Sequence, residues 1–162
     1  MSAVVLDFET KIVAPDELAG RIARLPRPLV FTNGCFDILH RGHVTILAQT
    51  RALGASMVVA LNSDASVKRQ GKGDDRPVNT LADRLAVIAA LECVSLVTWF
   101  EEDTPLDRIL GCHPDVLVKG GDWPVDKIVG NTEVTGWGGR VVSIPFIHQK
   151  STTGLLEKIR RL

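Results

Sequence analysis

Two imidazoles, His40 and His43, flank Gly42 where a helix is expected to begin, in the run His40-Arg41-Gly42-His43. The run follows an apolar stretch, Leu29 to Thr32, and a turn, Asn33-Gly34-Cys35-Phe36-Asp37. A helix start leaves backbone N–H groups unpaired and carries about half a positive charge, so it favours phosphate. Imidazoles placed there can donate to phosphate oxygens. With an ordinary pKa near ~6.5, they can also be drawn toward the charged form by a bound phosphate. Gly34 lets the backbone approach a ligand closely. Such a short motif arises by chance, but its place after a buried strand and a glycine turn marks a site. Two histidines with no third donor at fitting spacing do not suggest a metal.

Near the other end, Lys150-Ser151-Thr152-Thr153 precedes a second helix start. One hydroxyl is enough to cap a helix, so the others and the lysine point to a second phosphate cradle. Between the two, Asn62-Ser63-Asp64 continues into Val67-Lys68-Arg69 and Gly71-Lys72-Gly73. It reads as a surface loop whose last, glycine-rich part is mobile, and beside a phosphate site Lys68 or Lys72 can meet an anionic substrate. Arg76 and Arg84 are weaker candidates, because arginines are usually solvated. Lys119-Gly120-Gly121-Asp122-Trp123 adds glycines for close approach and an indole that either stacks on a base or sugar or anchors the core.

The elements that position these groups alternate. Apolar runs fit for buried strands are expected at Leu29–Thr32, Ser56–Leu61, Val94–Trp99, Val116–Val118 and Arg140–Ile144. Helices are expected at Pro15–Leu25, Arg41–Leu53 (capped by Gly54), Thr80–Leu91, Thr104–Gly111, Pro124–Val129 and Ser151–Arg160. Continuous apolar strands separated by helices predict an α/β, Rossmann-like three-layer sandwich on a five-stranded parallel sheet. Ligands of such sheets bind beyond the strands' carboxyl ends, where the loops above lie. The chain reads as one domain over 1–162, with 1–27 as an extension carrying a short helix.

Composition removes other classes. Lys+Arg and Asp+Glu both total 19, giving a formal charge of zero, so a nucleic-acid partner is not expected. Three cysteines without a CxxC argue against a disulfide framework or zinc site. Met1 to Thr10 lacks a basic leader, and no stretch suits a membrane span, so a cytoplasmic protein is expected. Neither GxxxxGK[ST] nor GxGxxG occurs.

Together, Asn33-Gly34-Cys35-Phe36-Asp37, His40-x-Gly42-His43 and Ser151-Thr152-Thr153 resemble the cytidylyltransferase-like HxGH nucleotidyltransferases. Further blocks narrow the likeness. Asn62-Ser63-Asp64, Val67-Lys68-Arg69, Arg76-Pro77, Asp83-Arg84, Lys119-Gly120-Gly121-Asp122 and Lys150-Ser151-Thr152-Thr153 are similar to the heptose 1-phosphate adenylyltransferases. The resemblance covers about Lys11 to Leu162 and departs from the usual form between Gly71 and Thr80. It implies ATP and a sugar 1-phosphate as substrates, magnesium with the ATP, and room for a homodimer. It implies His40, His43 and Lys68 as catalytic residues. Thr32, Asn33, Gly34, Phe36, Gly42, Asn62, Asp64, Lys119, Gly120, Asp122, Ser151, Thr152 and Thr153 are implied as nucleotide-binding, and Asp37, Lys72 and Arg76 as acceptor-binding. Two alternatives stay open: a cytidylyltransferase acting on glycerol 3-phosphate or a similar alcohol phosphate, and a nucleotide-binding regulatory protein without turnover.

Overall fold

The computed structural model describes residues 6–71 and 73–162, so Lys72 lies outside the described residues. Five strands, β1 (Leu29–Gly34), β2 (Ser56–Asn62), β3 (Leu96–Phe100), β4 (Val116–Gly120) and β5 (Arg140–Ile144), form one sheet. Their order is β3-β2-β1-β4-β5 and every pairing is parallel. Around them lie α1 (Leu18–Ile22), α2 (Arg41–Arg51), α3 (Asp64–Arg69), α4 (Leu81–Ala89), α5 (Leu106–Cys112), α6 (Asn131–Gly136) and α7 (Thr152–Arg160).

Successive strand residues point to opposite faces, so each strand feeds two cores. Leu29 and Phe31 join Val58 and Ala60 in one core, together with Leu18 and Ile22 of α1, Ile109 of α5 and Val134 of α6. Val30 joins Met57, Val59 and Leu61 in the other, together with Leu47 of α2 and Leu85 and Ile88 of α4. Both faces being covered explains why the strands are continuously apolar. This is the expected α/β sandwich. The chain builds outward from β1 to β2 and β3, then returns to lay down β4 and β5 on the other side. The reversal leaves a crevice at the carboxyl ends of β1 and β4, where ligands of such sheets bind.

Three local expectations change. The segment after β2 is not all loop: α3 starts there, capped by Ser63, whose Oγ accepts from the Ser66 N–H at 3.1 Å. Pro124 to Val129 is not a helix but holds only a 3₁₀ turn, Val125–Lys127. Ile128 turns into the core, and Gly130, at φ 89°, breaks the chain before α6 begins. Gly54 is not a left-handed cap; α2 ends on Ala52 in right-handed conformation. The glycine is required for another reason, because a Cβ there would stand 2.5 Å from the Pro28 carbonyl oxygen and 2.6 Å from Val30 Cγ2.

The three cysteines are free thiols, and burial pushes the Cys112 thiol up to about 12. Among the described residues no helix is long and apolar enough to cross a membrane.

Gly54→Ala should therefore destabilise the fold by about 1–3 kcal/mol, the usual cost of overpacking. The expected sign is a lower urea midpoint with an unchanged slope. A wild-type midpoint would mean that the β1 entrance gives way freely.

Candidate active site

The site is built on the turn between β1 and α2. Phe36 sits there at φ 45°, a conformation rare for a bulky side chain. Polar contacts on both sides of it hold the turn. On one side is Arg84, on the buried face of α4 with Leu85 and Ile88. Its guanidinium donates to the Cys35 carbonyl at 2.7 Å, the Asn79 carbonyl at 3.2 Å and the Asp64 carboxylate at 2.7 Å. On the other side is Asp37, whose side chain is 0% exposed. Its carboxylate accepts from Arg76 Nε at 2.6 Å and from the N–H groups of Val78 and Asn79 at 2.9 Å each. Burial pushes the Asp37 carboxyl up, but the Asn79 and Val78 N–H groups and Arg76 outweigh it and hold it below the usual carboxylate range.

Past this turn the two histidines meet. Their rings stack with centroids 3.8 Å apart, and the Phe36 ring meets His43 edge-on at 5.2 Å. Gly42 makes the stacking possible: a Cβ there would lie 3.0 Å from the His40 ring and 3.2 Å from the His148 carbonyl. Burial pushes His43 down to about 4, helped by charge repulsion from His40 and opposed by the Ile38 carbonyl. Burial also lowers His40. In the free protein, burial thus favours the neutral imidazole at both positions. Nδ1 of each ring is buried without a hydrogen-bond partner.

The start of α7 closes the same space. Ser151 Oγ caps the helix by accepting from the Gly154 N–H at 3.0 Å, and Thr152 Oγ1 donates to the Ile38 carbonyl at 3.3 Å. So the hydroxyls partly serve the fold, as a cap and as a tie to the histidine loop. With Lys150 and Thr153 they face His40 and His43 across a cavity of about 260 Å³, the histidine cavity.

A cavity lined by His40, Arg41, Lys150, Ser151 and Lys158 adjoins it on the outer side, and two more open toward the sheet. One, the aromatic cavity, is lined by Thr32, Phe36, His43, Gly120, Trp123 and Phe146. The other, the amide cavity, is lined by Asn62, Gln70, Phe100, Asp103, Thr104 and Lys127. Asn33, Gly34, Lys119 and Trp123 line both of these, and Cys35 lines all three. Asn62 is oriented from behind: its Nδ2 donates to Ser66 Oγ at 3.0 Å, and its Oδ1 is 3.6 Å from Cys35 Sγ. Gly120 packs closely here: a Cβ would meet Ile46 Cδ1 at 2.7 Å, so the isoleucine would have to shift. Trp123 is 51% exposed and stands over the cavities, so it is no core anchor.

Most of the residues singled out from sequence converge here, but some do not. Lys68 is exposed on α3 and lines none of these cavities, and Asp122 is exposed and also outside them. Asp37 and Arg76 line the histidine cavity, yet each neutralises the other, and Asp64 is held by Arg84. Among the described residues no group of three His, Cys, Asp or Glu could hold a metal ion. The carboxylates nearest the histidine turn are engaged by arginines, Asp37 by Arg76 and Asp64 by Arg84. Sequence reasoning undervalued Arg84 and passed over Gln70 and Phe146. Arg84 had a signal, since it falls on the same stripe of α4 as Leu81, Leu85 and Ile88.

A family model described as cytidylyltransferase-like matches residues 31–155, from the middle of β1 to the first turns of α7. The chain belongs to the cytidylyltransferase-like family. Within that family it is 57% identical, over 95% of its length and 96% of the relative's, to a D-beta-D-heptose 1-phosphate adenylyltransferase of Bordetella bronchiseptica. It is 53% identical over 82% of its length to a bifunctional protein HldE of Hahella chejuensis, of which it spans 28%. Among solved structures, a lipopolysaccharide core biosynthesis protein of Thermoplasma volcanium superposes with a TM-score of 0.62 at 26% identity. That likeness covers 75% of this chain and 98% of the other. A pantoate-beta-alanine ligase of Francisella tularensis gives the same TM-score at 13% identity over 88% of this chain and 69% of its own, which shows a shared fold alone.

In the free protein His43 should titrate near 4, and bound ATP should move that titration upward, as read by imidazole NMR. Because the unfolded chain binds the extra proton first, stability should fall as pH drops from about 6.5 toward about 4. A titration unmoved by ATP would place the phosphates elsewhere. Separately, Asp37→Ala leaves a buried guanidinium unpaired, and should cost about 3–5 kcal/mol in urea unfolding.

Proposed function

We propose that this protein joins AMP from ATP to D-glycero-D-manno-heptose 1-phosphate, giving ADP-heptose and pyrophosphate for lipopolysaccharide core or related surface-glycan synthesis. The observation that carries this reading is the near full-length likeness to a D-beta-D-heptose 1-phosphate adenylyltransferase. That relative's name also supplies the anomer, β. ATP as donor puts the reaction in the cytoplasm.

The cavities divide the substrates by chemistry. The histidine cavity, between two helix starts, suits the β- and γ-phosphates. The aromatic cavity suits the adenosine, whose base is flat and largely apolar at its faces. The amide cavity, with Asn62, Gln70 and Thr104, suits the hydroxyl-rich sugar. The α-phosphate then falls near Cys35, where all three meet. Magnesium enters as part of the MgATP substrate, held by phosphate oxygens and water as is usual for this ion.

The acceptor's phosphate is already anionic at neutral pH, so no general base is needed. The protein's contribution is position and charge stabilisation. His40 and His43, neutral in the free site, donate to oxygens of the α- and β-phosphates and bind them most tightly as charge builds on the leaving pyrophosphate. Thr152, Thr153 and the α7 N-terminus hold the far phosphates. Asp37, Arg76, Arg84 and Asp64 act through the turn, by keeping Phe36 and the histidines in register.

His43→Ala should lower kcat by roughly 10²–10³, the scale for removing one transition-state donor. A loss of tenfold or less in folded enzyme would remove His43 from the chemistry. Pyrophosphate release should require ATP and the β-anomer of heptose 1-phosphate. Turnover with CTP and glycerol 3-phosphate instead would keep the mechanism and replace the substrates.

A further inference from the structure

The acceptor differs from a hexose 1-phosphate at one end alone. Its ring carries a two-carbon diol where a hexose carries a single hydroxymethyl group. The reaction takes place at the opposite end, so an enzyme that distinguishes the two must touch the diol.

We propose that Asp103 and Thr104 set the acceptor specificity by binding this exocyclic diol. This rests on the substrate assignment above and deepens it. Both residues line the amide cavity and neither the aromatic nor the histidine cavity, whereas Cys35, beside which the α-phosphate falls, lines all three. The sheet sets the distance between them. Cys35 follows β1 directly, while Asp103 and Thr104 follow β3, two strands away in the order β3-β2-β1. Two strand spacings come to roughly 10 Å, close to the reach of a sugar 1-phosphate from its phosphorus to its last carbon. Asn62, the last residue of the strand between, pairs in register with Phe100 and lines the same cavity, so an amide lies along the way for the ring hydroxyls.

Charge fixes which end of the acceptor lies there. A carboxylate repels phosphate, so Asp103 suits the uncharged end of the molecule. Toward hydroxyl groups it is a strong partner, since hydrogen bonds to an ionised acceptor are stronger than those between neutral groups. Its orientation is prepared. Arg69 Nε donates to Asp103 Oδ1 at 2.8 Å, and the same guanidinium donates to the Glu101 carbonyl. Among the described residues Asp103 Oδ2 carries no hydrogen bond, and it is left for a sugar hydroxyl. A second tie from α3 is Ser66 Oγ, which donates to the Glu102 carbonyl at 2.9 Å and accepts from Asn62. The helix expected from Thr104 begins at Leu106, with Pro105 in the cap position. Thr104 is therefore not the cap, and its hydroxyl, donor and acceptor at once, stands at the cavity wall.

The test measures kcat/KM for β-heptose 1-phosphate and for β-D-mannose 1-phosphate, which shares the ring configuration and lacks the seventh carbon. Wild-type enzyme should prefer the heptose by roughly 30-fold or more, the scale of a missing substrate group. Asp103→Ala should cut that preference by roughly 10-fold and Thr104→Val by roughly 3-fold, with the loss falling on the heptose. Asp103→Asn and Thr104→Ser, which keep an oxygen in place, should recover part of it. A purely structural role would lower both acceptors together and leave the ratio alone. If mannose 1-phosphate turns over too slowly to follow, its inhibition constant against heptose 1-phosphate supplies the ratio. Thermal midpoints identify a misfolded variant, and two separate positions guard against losing one. Wild-type enzyme equally fast with both acceptors would overturn the proposal, as would folded Ala and Val variants whose preference stays within about twofold of wild type. Weaker ATP binding in Asp103→Ala, read by calorimetry without acceptor, would place the ribose at this wall and overturn it too. Wild-type enzyme silent toward heptose 1-phosphate would instead overturn the substrate assignment.

Discussion

The buried guanidinium of Arg84 is the constraint on which the site depends. Removing such a charge from water costs several kcal/mol unless every donor finds a partner. Here the partners are the carbonyls of Cys35 and Asn79 and the Asp64 carboxylate. These come from three separate segments: the turn after β1, the approach to α4 and the start of α3. Satisfying one cation therefore fixes all three relative to the sheet. Asp37 repeats the arrangement with opposite sign, collecting Arg76 and two backbone N–H groups. Phe36 is caught between the two networks, and its left-handed conformation is held from both sides. The edge-on contact of Phe36 with His43, and the stack of His43 on His40, transmit that rigidity to the atoms that face phosphate.

Charge is distributed to suit an anion that arrives already charged. The histidines are neutral, the nearby carboxylates are matched by arginines, and the helix starts present dipoles rather than full charges. Such a site does not have to reorganise when substrate binds. Fixed dipoles in a partly dry pocket stabilise developing charge without first being dragged out of water. A site made of bare lysines would have to hold their mutual repulsion in the empty state.

Much of this was legible in the sequence, and most of the failures share one cause. The sheet was legible because strands buried on both faces must be apolar throughout, as Val58 to Leu61 are. The histidine and hydroxyl motifs were legible because a helix start has only a few uses for such residues. What escaped depends on partners distant in the chain. Arg84 looks solvated until Cys35, 49 residues away, is folded against it. Asp37 looks like a substrate ligand until Val78 and Asn79 occupy its oxygens. Gly54 was picked out correctly for a wrong reason, since the approach of Pro28 cannot be seen locally. α3 and α6 are six residues each, too short for periodicity to show. Lys68 was chosen by type and neighbourhood, and α3 turns it outward.

The three cavities differ in what builds their walls. The phosphate side is made by two helix starts and a turn locked into the core. The amide side draws Asp103 and Thr104 from the segment after β3 and Lys127 from the segment after β4, side chains that are not part of either core. An enzyme built this way can change its customer without rebuilding its engine. Drift in those two outer segments would reshape what is accepted while the displacement at phosphorus carries on undisturbed, a natural route for one scaffold to serve many biosynthetic ends.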